Sequence, residues 1–366
     1  MSLGFLDHMR VVPDHRIPGM VIYPLDELLF ATLVGVVCGA DDWEGVEEVA
    51  TGALDWLRGF LPFANGIPTA QTLRKVFRLL DSEALQRGFA AWAASLRVEA
   101  REVIAVDGKT LRRSKGAKAA VHMVSAFAAR QRLALGQVKV ADKANEIVAI
   151  PKLLAMLVIE GAIVTIDAMG CQRDIAQQIV DQKADYVLAL KGNQGTLRED
   201  VELFANEQKA NNFKDTTVSR DKTVDGDHAR IETRTVTVVH DVAWLQERHE
   251  WPGLKGVVMV ESAREMRDKV ERETRFYITS LTLPASQMGS IVRDHWAVEN
   301  GLHWVMDMVF RDDECRVRTD HAPANFTTIK HIALNLIRRT KSKDSLRLRR
   351  KVAAWDDEFL ASLIAA

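Results

Sequence analysis

Cysteine is almost missing from this chain. Cys38, Cys171 and Cys315 are the only three in 366 residues, widely spaced and without a CxxC pair. That excludes a disulfide scaffold and a cysteine-rich zinc site, and points to a reducing, cytoplasmic setting. Long apolar runs are also lacking. Leu28 to Ala40 is the longest, contains two glycines, and is too short for a membrane span. The first residues, MSLGFLDHMR, hold no basic segment followed by an apolar stretch, so no signal peptide is expected. GxGxxG, GxxxxGK[ST] and GxSxG are absent, which disfavours a dinucleotide enzyme, a P-loop NTPase and an α/β hydrolase. No organic cofactor is expected.

Apolar residues make up 47% and charged residues 27%, the mix of an ordinary globular protein. The net charge of −1 conceals a segregation. Residues 1–60 carry ten acids against three bases, residues 109–118 five bases and no acid, and residues 338–351 eight bases and one acid. Such segregation suits a chain that meets a polyanion with part of its surface. A solvated loop and a solvated tail explain the two basic runs equally well.

Hydrophobic periodicity divides the chain. Residues 1–97 read as an all-α unit, with Thr69 and Asp81 placed to open helices whose apolar faces carry Leu73, Val76, Phe77 and Leu80, then Phe89 and Trp92. From residue 98 the pattern becomes β-β-β-α-β-α-β-α, with apolar strands at 103–108, 162–170 and 185–194. Alternating strands fill a β-rich insertion at about 210–282, and helices follow to residue 340. Residues 341–366 read as a basic tail with a short helix.

Two acids stand at strand ends, Asp107 in VIAVDGKT and Asp167 in IVTIDAMG. Ligand sites in α/β sheets lie at carboxyl ends of strands, and magnesium takes hard carboxylate oxygens. A single such Asp is usually a cap or turn former, but two, each followed by small residues, suggest a shared metal site. A third acid, Glu299, lies in RDHWAVENGLHWVMDMVF with His295 four residues before and His303 four after, one face of an α-helix. A surface Glu between two partly buried histidines is the plainer reading. Zinc is a lesser option, since HExxH is absent. Asp307 and Asp312 are rival third acids.

The strings IAVDGKTLRRS, NEIVAIPKLL, VTIDAMGCQRDIAQQI, ADYVLALKGNQ, DHARIETR and RDHWAVENGLHWVMDMVFRDD resemble the ISAs-type insertion-sequence transposases, which include the H-repeat-associated proteins. The resemblance runs from about Val12 to Leu360. It implies a ribonuclease-H-like DDE catalytic domain with a β-rich insertion, preceded by a helical domain. It also implies Asp107, Asp167 and Glu299 as catalytic metal ligands, with Mg2+ or Mn2+ as cofactor. The substrate would be double-stranded DNA, both element ends and target, bound by a homo-oligomer in the bacterial nucleoid. Under this reading Lys109, Arg112, Arg113, Lys191, His295 and His303 face DNA near the acids. Arg338, Arg339, Lys341, Arg349 and Arg350 add phosphate contacts from the tail. A nuclease on the same fold and a silent DNA-binding remnant are the alternatives.

Overall fold

The structure is a computed structural model that describes residues 3–98, 101–110, 122–140, 146–227, 230–266 and 269–365. Arg112 and Arg113 lie outside the described residues. No helix among the described residues is long and apolar enough to cross a membrane.

Residues 4–95 form six helices: α1 (Gly4–Met9), α2 (Leu25–Val37), α3 (Trp43–Gly52), α4 (Leu54–Leu57), α5 (Ala70–Leu79) and α6 (Ser82–Ser95). The expected caps are in place. Thr69 accepts from the Thr72 amide, and Asp81 from the amides of Glu83 and Ala84. Each satisfies amides that a helix start leaves without partners, an effect of about 1 kcal/mol. Sequence reading had not indicated α1.

The next elements are β1 (Val103–Thr110), β2 (His122–Ala128), β3 (Leu133–Val140), α7 (Glu146–Met156), β4 (Ile163–Ile166), α8 (Arg173–Asp181), β5 (Asp185–Leu190) and α9 (Gly195–Ala210). Their order is the one read from the sequence. β6 (Val218–Asp227), β7 (Arg230–Val239), α10 (Ala243–His249), β8 (Gly256–Met266) and β9 (Lys269–Thr279) follow. The nine strands of the described residues join one sheet in the order β3-β2-β1-β4-β5-β9-β8-β7-β6. β1, β4 and β5 run parallel, and every other neighbouring pair is antiparallel. The inserted strands therefore extend the central sheet through the β5–β9 pairing. Ile163 to Ile166 are all buried, as continuous apolar strands at a sheet centre should be.

After the sheet come α11 (Ala285–His295), a π-helical turn (Val298–His303), α12 (Trp304–Met308), α13 (Ala322–Arg339), α14 (Leu346–Ala353) and α15 (Asp357–Ile364). Every residue of α13 from Ala322 to Ile337 is buried. Its polar side chains join it to both neighbouring layers. Asn325 Nδ2 donates to the carbonyls of Phe77 (2.8 Å) and Leu80 (2.9 Å) at the end of α5. Asn335 receives the Ala134 amide (2.9 Å) and donates to the Ala134 carbonyl (2.8 Å) on β3. Lys330 Nζ bonds the Asp312 carboxylate at 2.8 Å. The Phe326 ring lies 4.8 Å from that of Trp43 in α3. One apolar cluster thus runs from Phe5 through the sheet to Ile364.

The expected basic tail is corrected by this packing. Residues 346–364 are two helices whose Leu360, Leu363 and Ile364 are buried. Arg350 is 6% exposed, donates to the Val36 carbonyl at the end of α2 (2.8 Å), and lies over the Phe310 ring. Arg349 donates to the carbonyls of Ile337 (2.8 Å) and Thr340 (2.9 Å), closing the end of α13. Arg338 donates to the Arg132 carbonyl (2.6 Å) and to that of Gly301. These guanidinia satisfy carbonyls that helix ends and turns leave open. Only Arg339 and Lys341 of the five tail residues named for DNA stay exposed.

Replacing Asn325 by Ala leaves two buried carbonyls without a donor. The variant is expected to lose on the order of 1–3 kcal/mol in urea unfolding, in a single transition that includes both the helical layer and the sheet. A variant as stable as the parent would show that Asn325 does not hold the layers together.

Candidate active site

The register of the parallel strands brings the two acids together. Val106 pairs with Ile166, so the next residues meet: Asp167 just after β4, and Asp107 within β1, which runs on past the end of β4 to Thr110 and corrects the expected strand end at 108. Asp167 opens a 3-10 turn, and its Oδ1 accepts from the amides of Met169 (3.1 Å) and Gly170 (3.5 Å), which fixes the carboxylate. Glu299 reaches the same place from the π-helical turn. Asp107, Asp167 and Glu299 line one cavity of about 200 Å³, together with His295, Lys191, Arg275, Tyr277 and Trp296.

The helix carrying Glu299 departs from the expected α face. α11 ends at His295, and the following turn is π-wound, with the Trp304 amide bonded to the Glu299 carbonyl five residues back. Four-residue spacing therefore no longer aligns His295, Glu299 and His303 on one face. His295 stays at the cavity, its Nδ1 3.0 Å from Thr165 Oγ1, and burial pushes its pKa down. His303 turns inward instead. It is 9% exposed, 3.6 Å from the Asp107 carboxylate, and burial holds its pKa down at about 3. A buried, neutral His303 corrects the expectation of a DNA contact there. The turn approaches β2 closely at Gly301, where a Cβ would sit 3.0 Å from the Phe127 ring.

Lys109 is corrected in the same way. Its ammonium bonds the Asp307 carboxylate and lies 3.3 Å from the His303 carbonyl, with 13% of the side chain exposed. This pair ties β1 to α12. It accounts for Asp307, the rival third acid, which does not line the cavity. Asp312, the other rival, is buried against Lys330. Lys191 is exposed at the cavity rim after β5. Sequence reading missed Arg275 and Tyr277, which reach the cavity from β9. Their signal was only an alternating strand.

A second polar cluster underlies the first acid. His122 Nε2 lies 2.5 Å from Glu146 Oε1, and His122 Nδ1 lies 2.8 Å from Thr110 Oγ1. Gly108 makes room for it, because a Cβ there would fall 2.4 Å from Glu146 Oε1. The DGKT run (107–110) thus supplies a cavity acid, a gap, a cross-brace and a hydrogen-bonding hydroxyl in turn.

Burial, followed by the charges of Asp167, Glu146 and Glu299, pushes the Asp107 carboxyl up to about 6. Carboxylates close enough to repel in this way favour a divalent cation. Among the described residues, no group of three or more His, Cys, Asp or Glu side chains is placed to hold a metal ion. An oxygen-only set of one or two carboxylates still fits magnesium, which fills its remaining positions from water and substrate phosphates.

Comparison with known proteins places this arrangement in a class. Residues 6–93 match the family described as DDE_Tnp_1-associated, and residues 99–336 the family described as Transposase DDE domain. The chain is 38% identical to "Putative transposase YncI" of Escherichia coli O157:H7, over 99% of its own length and 95% of that protein. It is 37% identical to "H repeat-associated putative transposase YhhI" of Escherichia coli K12, over 98% and 97% of the two chains. The cryo-EM structure of a piggyBac transposase synaptic complex with hairpin DNA covers 99% of this chain and 80% of that one, at a TM-score of 0.46 and 9% identity. The class is the transposases, enzymes that cleave DNA and transfer its strands. Within that class this chain belongs to the DDE transposase family, in the group of the H-repeat-associated insertion-sequence proteins.

The raised Asp107 pKa has a consequence for stability. The folded state holds this proton more tightly than the unfolded chain, whose Asp titrates near 4. Stability from this carboxyl is therefore complete below about pH 4 and lost as pH rises through about 6. In metal-free buffer, Asp107→Asn is expected to stabilise the protein above pH 7 by on the order of 1–2 kcal/mol after solvent screening. The gain should vanish near pH 4. Melting curves at the two pH values check this. Equal gains at both would show that the carboxylate's charge is not the cause.

Proposed function

We propose that this chain is an active insertion-sequence transposase whose Asp107, Asp167 and Glu299 are the catalytic carboxylates of a ribonuclease-H-like domain. The observation that carries the reading is the meeting of these three acids at one cavity. Two stand on paired parallel strands of a β3-β2-β1-β4-β5 sheet, and the third stands on a helical turn that follows the inserted strands.

Of the three carboxylates, one or two would supply hard oxygen donors to Mg2+ or Mn2+ in the geometry described, and all three would do so once substrate and metal draw them together. The chemistry such an ion would supply is acidification of a water or a terminal 3′-hydroxyl and neutralisation of charge on a leaving oxygen. The chain's own contribution is position and field. Backbone amides aim Asp167, the β1 register aims Asp107, and the Lys109–Asp307 pair holds the helix that follows Glu299 against β1. His295, kept neutral by burial and held by Thr165, donates or accepts one hydrogen bond at the cavity wall without adding charge. Lys191 places a positive charge at the rim, where a scissile phosphate enters. Double-stranded DNA is the substrate, as element end and as target. Two end-bound copies act together, so a homo-oligomer forms on DNA. Arg339 and Lys341 remain as outlying phosphate contacts, and binding weakens with salt.

The test is cleavage of a labelled duplex carrying the element's own end, with magnesium and with chelator. Wild type is expected to nick with magnesium alone. Asp107→Asn, Asp167→Asn and Glu299→Gln should each lower the rate by at least about a thousandfold while still binding the duplex. Asp307→Asn should keep part of the activity. Full activity in Glu299→Gln with none in Asp307→Asn would move the third acid to Asp307. Nicked products that never join to target would reduce the function to that of a nuclease.

A further inference from the structure

The strand that carries Asp107 outruns its support. β1 pairs with β4 only from Val103 to Val106, and from Asp107 to Thr110 it has β2 alone beside it. Side chains along this tongue alternate between two faces. On one face Asp107 reaches the acid cavity and Lys109 meets Asp307. Gly108 and Thr110 fall on the other, toward the start of α7. A strand end paired on one side opens more readily than one paired on both. An acid that must meet two others needs that opening suppressed.

The far face carries a chain of side chains from three elements. Thr110 Oγ1 lies 2.8 Å from Nδ1 of His122, its cross-strand partner on β2. His122 Nε2 lies 2.5 Å from Oε1 of Glu146, the first residue of α7. His122 is 3% exposed and Glu146 6%. Both ring nitrogens have partners, so the imidazole is fixed in rotation. Desolvation offsets much of the attraction in such a buried pair, and what it leaves is a single permitted geometry. The pair also bears on the backbone next to Asp107. A methyl on Gly108 would run into the Glu146 carboxylate and lie 2.8 Å from His122 Nε2. Glu146 therefore fills the place of the missing side chain, one residue from the acid, and Asp107 feels its charge.

We propose that His122 and Glu146 are positioning residues that hold Asp107 in place for metal binding, acting through Gly108 and Thr110. The assignment rests on Asp107 being a metal ligand, as proposed above. Neither residue touches the substrate. They clamp the unsupported end of β1 from behind, while Lys109 and Asp307 clamp it from the front.

The experiment reads the tongue and the metal dependence separately. In metal-free buffer, hydrogen exchange of a peptide covering 103–110 should quicken about tenfold in Glu146→Ala and in His122→Ala, relative to peptides from β4 and β5. Cleavage of the element-end duplex by these variants should need about tenfold more magnesium for half its maximal rate. The maximal rate at saturating magnesium should stay within about threefold of the parent. Glu146→Gln can keep the bond to His122 and should retain most of the parent's behaviour in both readouts. Gly108→Ala removes no polar group, yet it should reproduce the alanine phenotype by displacing Glu146. Adding Glu146→Ala to it should cost little more, because both changes act on one contact. Should an alanine variant fail to fold, Gly108→Ala and Glu146→Gln still decide. Parent-like exchange and magnesium dependence in Gly108→Ala would overturn the proposal. So would a fall in maximal rate with an unchanged magnesium midpoint, which marks a merely structural pair. Glu146→Gln as impaired as Glu146→Ala would overturn it by making Glu146 itself a ligand. Cleavage indifferent to Asp107→Asn would instead remove the three-acid reading, whatever the exchange rates show.

Discussion

A helix with no face toward solvent must satisfy its polar side chains inside the protein, and α13 meets this constraint by using them as joints. Asn325 takes the open carbonyls at the end of α5, Asn335 takes both backbone groups of Ala134, and Lys330 takes Asp312. An unpaired buried amide or charge is costly, so each of these bonds fixes where a neighbouring layer sits. Apolar burial alone would permit sliding. The amide pairs do not, because donor and acceptor must meet within a few tenths of an ångström. The helical layer, the sheet and the segment containing Asp312 are thereby referred to one axis.

The acid site inherits that rigidity, and it needs it because its members repel. Asp107 bears the cost, since burial and three neighbouring carboxylates raise its proton affinity together. Three different devices hold the cavity acids against this repulsion. Strand pairing holds Asp107, amide capping holds Asp167, and a π turn followed by an ion pair to β1 holds the segment of Glu299. A π turn costs hydrogen-bond geometry and is seldom kept without purpose. Here it separates two histidines that α geometry would align, leaving His295 at the cavity and burying His303 beside Asp107.

Much of this was legible in the sequence. The order of elements along the chain, the helix starts at Thr69 and Asp81, and the place of Asp167 after β4 follow from apolar period and capping chemistry, whereas the run of β1 past Asp107 to Thr110 does not. The π turn was not legible, because Ala-Val-Glu-Asn-Gly-Leu-His carries ordinary helical spacing, and the close approach of Gly301 to the Phe127 ring appears only in the folded chain. The basic run at 338–351 misled for a different reason. Charge density says nothing about which carbonyls lie within reach. Arg338, Arg349 and Arg350 are consumed by backbone acceptors that appear only once α2, α13 and the π turn are in place. Near residue 97 helices give way to strands, and Trp43 and Phe326 pack against each other from either side of that point.

What the inserted strands add is a group of arginines, each paired with a carboxylate, a short distance from the acids. The acid cavity presents carboxylates, and the neighbouring one presents arginines, with Arg275 in the wall of both. A phosphodiester strand carries charge on every linkage, so a site that draws one phosphate to bound cations also brings the next phosphates close. Unless those meet positive charge, they repel the carboxylates. Guanidinia supply that charge without the hydration and mobility of an ammonium, and a shared glutamate fixes them in the sheet. Extending the central sheet, rather than appending a separate domain, therefore sets the arginines at a fixed distance from the acids.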